Sequence, residues 1–457
     1  MMQARLQVSC IIMTTTWFPR EALQPGVRPR EVWGWAMYDF ANSGFTTVVI
    51  TAVFNAYFVG VIAGGADWAT LAWTLALGVS SALVMLTMPA LGARTDARRS
   101  KKVWLLASTI GCIAGTLLLA LCGPGDLWLA ILAVVVANLF FSWGESLIAS
   151  FLPELARPEA FGRVSGWGWS LGYLGGMLAL GLSLGYVLWA QSQGQSASQF
   201  VPVTMVITAV VFALAASFTM AWLKERGSAG AIAQGVSSDG VPVAVSPWAN
   251  LRRTISDLRA DPEHRNFRWL MGCACAYQAG ISVVIALAAV YAEQAMGFGQ
   301  TQTMALIFLV NIAAALGAFA FGYFQDRVGH TRALSWTLWG WIAMTLLSVA
   351  AQGPALFWVA AVLAGLCMGS SQSAGRALAG LLAPADRVAE FFGLWTFATR
   401  LAAILGPITY GLVTWVTAGN HRVAILSTGL FFVIGLVLLR RVSIPVAGPA
   451  GPAAARL

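Results

Sequence analysis

The sequence WGWAMYDFANSGFTTVV, residues 33–49, places an aspartate inside the first long apolar segment of the chain. An ionised carboxylate at membrane depth costs about 2.5–3.5 kcal/mol on insertion scales, so such a residue is rarely retained without a role. On a helix, Asp39, Asn42, Ser43 and Thr46 fall at i, i+3, i+4 and i+7 and form one polar stripe. Such a stripe faces a water-filled cavity or partner groups rather than lipid. The alternative is an aspartate that is satisfied by packing near a helix end.

The composition around this stretch is that of a membrane protein. Of the 457 residues, 58% are hydrophobic and 10% are charged, and the mean hydropathy is +0.75, whereas soluble domains carry about 25% charged residues. Crossing a bilayer takes about 20 apolar residues. We predict an all-α integral membrane protein with twelve such spans, near 33–62, 68–91, 103–122, 127–147, 164–190, 202–222, 268–292, 302–323, 333–351, 355–375, 391–416 and 422–439.

The basic residues are distributed unevenly between the two ends of these spans. Alternate loops, counted from the N-terminal segment, hold 25 of the 27 Lys and Arg residues; Arg422 lies on the other side, and Arg400 lies inside a span. The positive-inside rule then predicts that both termini are cytoplasmic, and we expect a bacterial-type inner (plasma) membrane. Because the charges sit in short loops, the net charge of +9 indicates orientation and not a nucleic-acid partner.

The spans divide the chain into two bundles with flanking segments. The predicted divisions are a cytoplasmic N-terminal tail 1–31, a six-helix bundle 32–222, a cytoplasmic linker 223–265, a second six-helix bundle 266–441 and a cytoplasmic tail 442–457. Within the linker, a Gly/Ser/Val-rich stretch precedes apolar residues at helical spacing, from Trp248 to Leu258, which predicts an amphipathic helix on the inner membrane surface. This helix is either a passive tether or a regulatory site.

Two loops repeat each other at an offset of 230 residues. GARTDARRSKK, 92–102, follows span two, and GYFQDRVGHTR, 322–332, follows span eight. Glycine permits a tight turn, and the acid can pair with basic groups of a neighbouring span, which predicts a gate on the cytoplasmic side. The alternative is a plain stop-transfer loop. The candidate gating residues are Gly92, Asp96, Gly322, Asp326 and Arg327.

Polar and aromatic side chains inside the spans are the candidates for a transport site. Glu145 corresponds to Arg376 at an offset of 231, so the two can meet across the central axis or be solvated helix ends. Arg400 lies about 13 Å into span eleven and is either an anion site or one partner of a permanent Arg–acid pair. Trp169 and Tyr173 line the cavity or pack as core. The predicted binding or proton-coupling residues are Asp39, Asn42, Glu145, Trp169, Tyr173, Gln278, Gln372, Arg376 and Arg400.

The chain resembles the major facilitator superfamily in its twelve spans and in the two loop motifs. Three stretches, YDFANSGF at 38–45, SFLPEL with GRVSGWGWSLGYLGG within 150–176, and FFGLWTFATRLAAILGP at 391–407, are similar to the UMF-type branch that includes the fungal vacuolar amino-acid effluxers. Members of this branch usually carry an acid beside glycine in span seven. This chain has Gln278 there, so its coupling or substrate is expected to differ.

The resemblance also implies a role for small residues, which allow helices to approach closely. In the superfamily, spans five and eight pack across the interface between the bundles, and we expect a sliding contact there. The small residues at every fourth position are Gly168, Gly172, Gly176, Ala314, Ala318 and Gly322.

The predicted function is secondary transport of a small polar solute, amino acids or similar, by alternating access, with proton coupling through Asp39. The expected partners are the solute, protons and the lipid bilayer, and the chain is expected to be a monomer. No cysteine or histidine spacing indicates a metal site, and we expect no cofactor. The alternative is a non-transporting polytopic protein, either an enzyme or a receptor-like scaffold, but the chain shows no recognisable acid/base, metal or nucleophile set.

Overall fold

A computed structural model describes the chain over residues 18–226, 247–260 and 262–444. Most of the stretch predicted as a flexible linker, 227–246, lies outside the described residues, as do 1–17 and 445–457. Within the described residues, twelve helices are long and apolar enough to cross a membrane. The predicted all-α architecture is therefore confirmed.

The membrane helices are numbered here in chain order. They are α1 (Pro29–Ile62), α2 (Ala69–Arg98), α3 (Lys101–Leu119), α4 (Leu127–Ala149), α5 (Phe161–Ser192), α6 (Ala197–Trp222), α7 (Arg265–Met296), α8 (Gln300–Val328), α9 (His330–Ala350), α10 (Pro354–Leu382), α11 (Val388–Val416) and α12 (His421–Leu439). A further helix, the linker helix, covers Pro247–Ala260 between α6 and α7.

Local sequence explains where several of these helices begin and end. Ser196 precedes α6, and its backbone N–H donates to Gln199 Oε1 (2.9 Å), which satisfies a donor at the start of the helix. Pro354 opens α10, where its missing N–H costs no helical hydrogen bond. Gly297 ends α7 at a φ of 68°, a left-handed conformation that only glycine adopts freely.

Each half of the molecule has its own core, and the surface between the helix ends is apolar. In the first half, Trp35 donates its indole N–H to the Ile148 carbonyl (2.7 Å). In the second half, Trp341 stacks on Phe432 with ring centroids 5.1 Å apart. Because lipid replaces water outside, large apolar side chains remain exposed along the helices. The two six-helix bundles predicted from the repeat are thus separate packing units.

Small residues of α5 do not all lie where the repeat suggested. Gly166 packs against the backbone of Ala318 on α8, as expected of a close contact between the halves. Gly172 and Gly176 pack instead against Ser43 of α1. The prediction that the whole stripe faces α8 is therefore wrong, because α5 is wedged between α1 and α8 and presents a different glycine face to each.

The segment before α1 is packed more closely than expected, and one arginine lies deeper in its helix than expected. In the predicted N-terminal tail, Gln24 donates its backbone N–H to Leu155, and Arg157 donates its backbone N–H to Ala22 (both 3.0 Å). This short pairing ties the segment before α1 to the connection between α4 and α5. Arg376, one position beyond the predicted end of the tenth span, is buried inside α10, because that helix continues to Leu382.

Candidate functional site

Arg376 of α10 forms the most buried ion pair between the two halves. Its Nη1 donates to Asp39 Oδ2 of α1 (2.6 Å). Its Nε donates to the Ser165 hydroxyl of α5 (3.0 Å), and its Nη2 donates to the Ser165 carbonyl (2.8 Å). Both charged side chains are almost completely covered, with 7% of Arg376 and 11% of Asp39 exposed.

Two tryptophans complete the surroundings of this guanidinium. The Arg376 Cζ atom lies 4.6 Å from the ring centroid of Trp35 and 5.3 Å from that of Trp169. Such contacts between a cation and an aromatic face are favourable and are stronger when water is excluded. The residues that contact the guanidinium, from Trp35 to Trp169, all belong to the first half. The side chain of Arg376, which belongs to the second half, is therefore inserted into a pocket formed by residues of the first half.

A second ion pair crosses the interface at a more accessible position. Arg400 Nη2 of α11 donates to Glu145 Oε2 of α4 (2.5 Å). Here 41% of the Glu145 side chain and 18% of the Arg400 side chain are exposed. The Nε atom of Arg400 is buried and has no hydrogen-bond partner within the described residues. This pair has unused hydrogen-bonding capacity and is open to solvent.

The observed pairs differ from the Glu145–Arg376 contact that the offset suggested. Glu145 does not meet Arg376, and Asp39 does not meet Arg400. An offset identifies equivalent positions in the two halves, but equivalent side chains face each other only when they lie on the axis that relates the halves. Here α1 places Asp39 next to Arg376, and α11 places Arg400 next to Glu145. The alternative of solvated helix ends does not hold for Arg376, which is buried.

Gln278 of α7 pairs within the second half. Its Nε2 donates to Gln372 Oε1 (2.7 Å), and Gln372 Nε2 approaches Gln278 Oε1 at 3.3 Å. The two predicted glutamines therefore lie together, joined by both amide groups. No charge is involved in this contact.

A pair of tyrosines shows which residue of α7 corresponds to the aspartate of α1. The Tyr38 hydroxyl fills the space beside Gly144 of α4, and the Tyr277 hydroxyl fills the space beside Gly375 of α10. The two glycines are equivalent at the offset of 231, and the residue after the first tyrosine is Asp39. The residue after the second is the glutamine of α7. The second half thus carries a neutral amide where the first half carries a carboxylate.

Unpartnered polar atoms lie on α1 and α5, the two helices that supply Asp39 and Ser165 to Arg376. Both the amide nitrogen and the amide oxygen of Asn42 are buried and lack a partner within the described residues, as does Trp169 Nε1. The Trp169 and Tyr173 rings are 6.0 Å apart. Buried polar atoms are normally hydrogen-bonded. This set therefore offers donors and acceptors to a polar ligand or to water.

One candidate gate joins the start of α5 to the end of α8. Asp326 Oδ1 accepts the backbone N–H of Gly162 (2.8 Å), and its Oδ2 accepts the backbone N–H and the Nε of Arg163 (3.2 and 3.1 Å). A carboxylate is stabilised at a helix N-terminus, where free N–H groups and the helix dipole favour negative charge. Gly322 brings the two backbones close enough for this contact.

The other candidate gate repeats this arrangement between α2 and α11. Asp96 Oδ2 accepts the backbone N–H of Glu390 in the first turn of α11 (2.9 Å), and its Oδ1 lies 3.4 Å from Lys101 Nζ. Gly92 lies against the Ala389 carbonyl, where a Cβ atom would clash. Each aspartate of the repeated motif therefore holds the start of a helix from the opposite half. Both contacts join the two halves at the basic end of the molecule.

One predicted gating residue is not part of these contacts. Arg327 is exposed, and Arg163 supplies the guanidinium that binds Asp326. The reason is helical geometry, because successive residues on a helix point about 100° apart. A side chain one position after the aspartate therefore points away from α5.

Sequence reasoning also missed residues that contact Arg376 directly. Trp35 lies four positions before Asp39 and so on the same helix face, a signal that was available from the spacing. Ser165 lies in the glycine-rich start of α5 and gave no signal, since a lone serine in such a stretch has many possible roles. Within the described residues, no group of three or more His, Cys, Asp or Glu side chains is placed to hold a metal ion.

The chain matches the family model described as "Vacuole effluxer Atg22 like" over residues 65–447. A Bacillus subtilis (strain 168) protein described as the uncharacterized MFS-type transporter YxiO is 24% identical over 414 residues, covering 89% of this chain and 93% of that protein. Among solved structures, the human organic anion transporter MFSD10 (TETRAN) superposes with a TM-score of 0.66 at 16% identity, over 91% of this chain and all of that one.

The fucose:proton symporter FucP of E. coli superposes with a TM-score of 0.64 at 15% identity, over 91% of this chain and 97% of that one. At these identities the two structures show the major facilitator fold alone. The family match shows in addition that the chain is a multi-pass membrane transporter and not an enzyme, which rules out the enzyme alternative. The chain belongs to the Atg22-like vacuole effluxer family of the major facilitator superfamily.

Proposed function

We propose that this transporter moves small zwitterionic solutes, amino acids or close analogues, by alternating access, and that a proton on Asp39 is coupled to the movement. The observation that carries the proposal is a pair of ion pairs between the halves. One, Asp39–Arg376, is buried, and the other, Glu145–Arg400, is open to solvent.

The accessible pair fits a zwitterion. A free amino acid carries a carboxylate and an ammonium group on one carbon. When it binds, its carboxylate pairs with the Arg400 guanidinium and its ammonium group pairs with the Glu145 carboxylate. Each of the two protein charges thereby replaces its protein partner with a charge of the solute. Neither charge is left unpaired in a poorly hydrated site, which would be strongly unfavourable. A solute with a single charge would pair with either Arg400 or Glu145 and would leave the other side chain without a counter-ion.

The buried pair fits a coupling role. A proton that binds Asp39 removes the charge that holds Arg376 in its pocket in the first half, and the remaining contacts then hold a guanidinium without a counter-ion. An unpaired buried charge is costly, so protonation favours withdrawal of Arg376. Protonation of Asp39 is thereby coupled to separation of the two halves at the Asp39–Arg376 contact.

The gates fit the alternation between two open states. The contacts of Asp96 with α11 and of Asp326 with α5 support a state in which the basic end is closed and the site exchanges with the opposite side. We propose that the basic end is cytoplasmic, in accordance with the positive-inside rule, and that the bundles 32–222 and 266–441 rock as units. The proposed unit is a monomer in a plasma-membrane-type bilayer.

A binding comparison tests the zwitterion proposal. The purified protein is titrated with a panel of amino acids and, for each one that binds, with its methyl ester and its N-acetyl derivative. The ester lacks the carboxylate and the N-acetyl form lacks the ammonium charge. We expect each derivative to bind at least tenfold more weakly than the parent, and we expect Arg400→Ala to lose the preference for the parent over the ester. Equal binding of all three forms by the wild type would contradict the proposal.

A further inference from the structure

A shallow groove lies at the basic end of the molecule, far from the ion pairs of the transport site. It is formed where α7 begins and α12 ends, and its lining residues are Arg265, Arg268, Trp269, Gly272 and Leu438. Gly272 leaves the groove open, because a Cβ atom at this position would meet Leu438 Cδ1 alone, at an ordinary contact distance of 3.5 Å. The space between the two helices is therefore not filled by protein.

The polar end of the groove carries several guanidinium groups. Arg441, just beyond α12, lies with its Cζ atom 5.9 Å from the ring centroid of Trp269. Arg265 and Arg441 are exposed, and no ion pair among the described residues includes either of them or Arg268. The positive charge is thus not neutralised within the part of the chain that the structure describes.

Arg268 is fixed in place by the linker helix. Its Nη1 donates to the carbonyl groups of Leu258 and Arg259, the latter at 2.6 Å, at the C-terminal end of that helix. Free carbonyl groups at a helix C-terminus favour a nearby cation. One of the residues that line the groove is consequently fixed in position by the linker helix.

The other end of the groove continues into an apolar surface. Ile434 and Val437 of α12 are about half exposed, at 48% and 54%. Apolar side chains that are exposed on a spanning helix face the hydrocarbon of the bilayer. Trp269 lines the groove and contacts Arg441, and tryptophan is enriched at membrane–water interfaces. Positive charge and apolar surface therefore adjoin each other at the membrane interface.

We propose that this groove binds one anionic phospholipid. The phosphodiester accepts hydrogen bonds from Arg265 and Arg441, and the acyl chains follow Ile434 and Val437 into the bilayer. Basic pockets between spanning helices on the charged side of a membrane suit such head groups. A free phosphate ion would use the arginines but not the apolar surface, which is why the lipid is the occupant proposed. The site is independent of the solute and of proton coupling.

Native mass spectrometry of the purified full-length protein tests this proposal. The protein is incubated with phosphatidylglycerol or with phosphatidylcholine at equal mole fraction, and retained lipid is counted. We expect one retained phosphatidylglycerol per chain and at least tenfold lower occupancy by phosphatidylcholine. Because each basic residue near an anionic membrane is worth about a fivefold gain, the double variant Arg265→Gln/Arg441→Gln is expected to bind phosphatidylglycerol about 30-fold more weakly.

A matched variant separates the groove from general surface charge. Arg332 and Arg440 are exposed arginines on the same end of the molecule that do not line the groove and, unlike Arg441, are not stacked on its Trp269 ring. Arg332→Gln/Arg440→Gln removes the same charge and is expected to change lipid binding by less than threefold. An equal loss in both double variants would overturn the proposal, as would undiminished retention by Arg265→Gln/Arg441→Gln. Inorganic phosphate that binds wild type as tightly as the lipid does would show a free-anion site instead.

A second measurement on the wild-type protein does not depend on how the variants fold. Phosphatidylglycerol with a photoreactive acyl chain is added, irradiated and mapped by peptide sequencing. We expect cross-links in the segment from Ile434 to Leu438. Cross-links spread evenly over the lipid-facing helices would contradict a defined site.

Discussion

The two ion pairs that join the halves of this transporter differ in almost every physical respect. Asp39–Arg376 is covered by protein, and its guanidinium is bound by a serine and two tryptophans of the opposite half. Glu145–Arg400 is exposed to solvent on the acidic side and has an unsatisfied donor on the basic side. A buried pair with complete hydrogen bonding resists separation, whereas an accessible pair exchanges partners easily. The buried pair suits a contact that holds the two halves together, which we call the lock, and the accessible pair suits a binding site.

The pseudo-symmetry of the chain makes this difference more informative. Glu145 and Arg376 occupy equivalent positions, yet one pairs at the open site and the other is inserted into the opposite half. The position equivalent to Asp39 is Gln278, which binds Gln372 within its own half. The two halves therefore share a fold but differ at this position: the carboxylate that we propose as the proton carrier lies in the first half, and a neutral amide occupies the equivalent position of the second.

Removal of the inserted guanidinium is expected to have the largest effect on stability. Arg376→Ala leaves the Asp39 carboxylate buried and unpaired, which costs about 3–5 kcal/mol. Arg400→Ala is expected to cost about 1 kcal/mol or less, because its partner stays hydrated. Unfolding of the purified variants in denaturant measures both. Equal destabilisation by the two substitutions would remove the distinction between the pairs.

Substrate affinity is expected to show the opposite order. Arg400→Ala removes the proposed carboxylate ligand and is expected to weaken amino-acid binding about 100-fold, or about 2.7 kcal/mol. Arg400→Lys keeps a point charge and loses the bidentate geometry, so an intermediate loss of about tenfold is expected. Isothermal titration of the folded variants gives the numbers. Unchanged affinity in Arg400→Ala would exclude this residue from the site.

The gates are expected to give the smallest effect. Asp326→Asn removes a charge from the start of α5, and a carboxylate there is worth about 1–2 kcal/mol in a partly buried setting. The equilibrium should therefore shift about 5- to 30-fold towards opening of the basic end. Ser373 is buried near the Gly162 carbonyl on this interface, so maleimide labelling of Ser373→Cys in a cysteine-free background reports the opening.

The control for this experiment is Arg327→Gln, which changes a charge beside Asp326 without touching the contact. It is expected to leave the labelling rate unchanged. Labelling that rises equally in Arg327→Gln and Asp326→Asn would mean that general charge, and not the helix contact, holds this end closed.

The spans and the two aspartates that contact the opposite half could be predicted from the sequence because they depend on local patterns. Apolar runs of sufficient length cross a bilayer whatever their neighbours are, and the two aspartates of the repeated loops were found by their offset. The need of Arg400 for a partner also followed from its depth in α11. Its partner, Glu145, could not be named, because periodicity fixes the face of a helix but not how two helices are rotated against each other.

Other features were missed because insertions change the offset between the halves. Tyr38 and Tyr277 are separated by 239 residues, whereas Gly144 and Gly375 are separated by 231. The equivalence of the first helix of each half therefore became visible only when both tyrosines were seen beside both glycines. The burial of Arg376 was missed for a different reason, since a charge at the end of an apolar run looks like the end of the span.

The division between a lock and a binding site is tested most directly by one measurement on Asp39→Asn. Reconstituted into proteoliposomes, this variant is compared with wild type for amino-acid accumulation driven by an imposed pH gradient and for exchange of amino acid at equal pH. Because asparagine cannot carry the proton but leaves Glu145–Arg400 intact, we predict loss of gradient-driven accumulation, continued exchange, and an affinity within about threefold of wild type. Accumulation undiminished by Asp39→Asn would contradict the account.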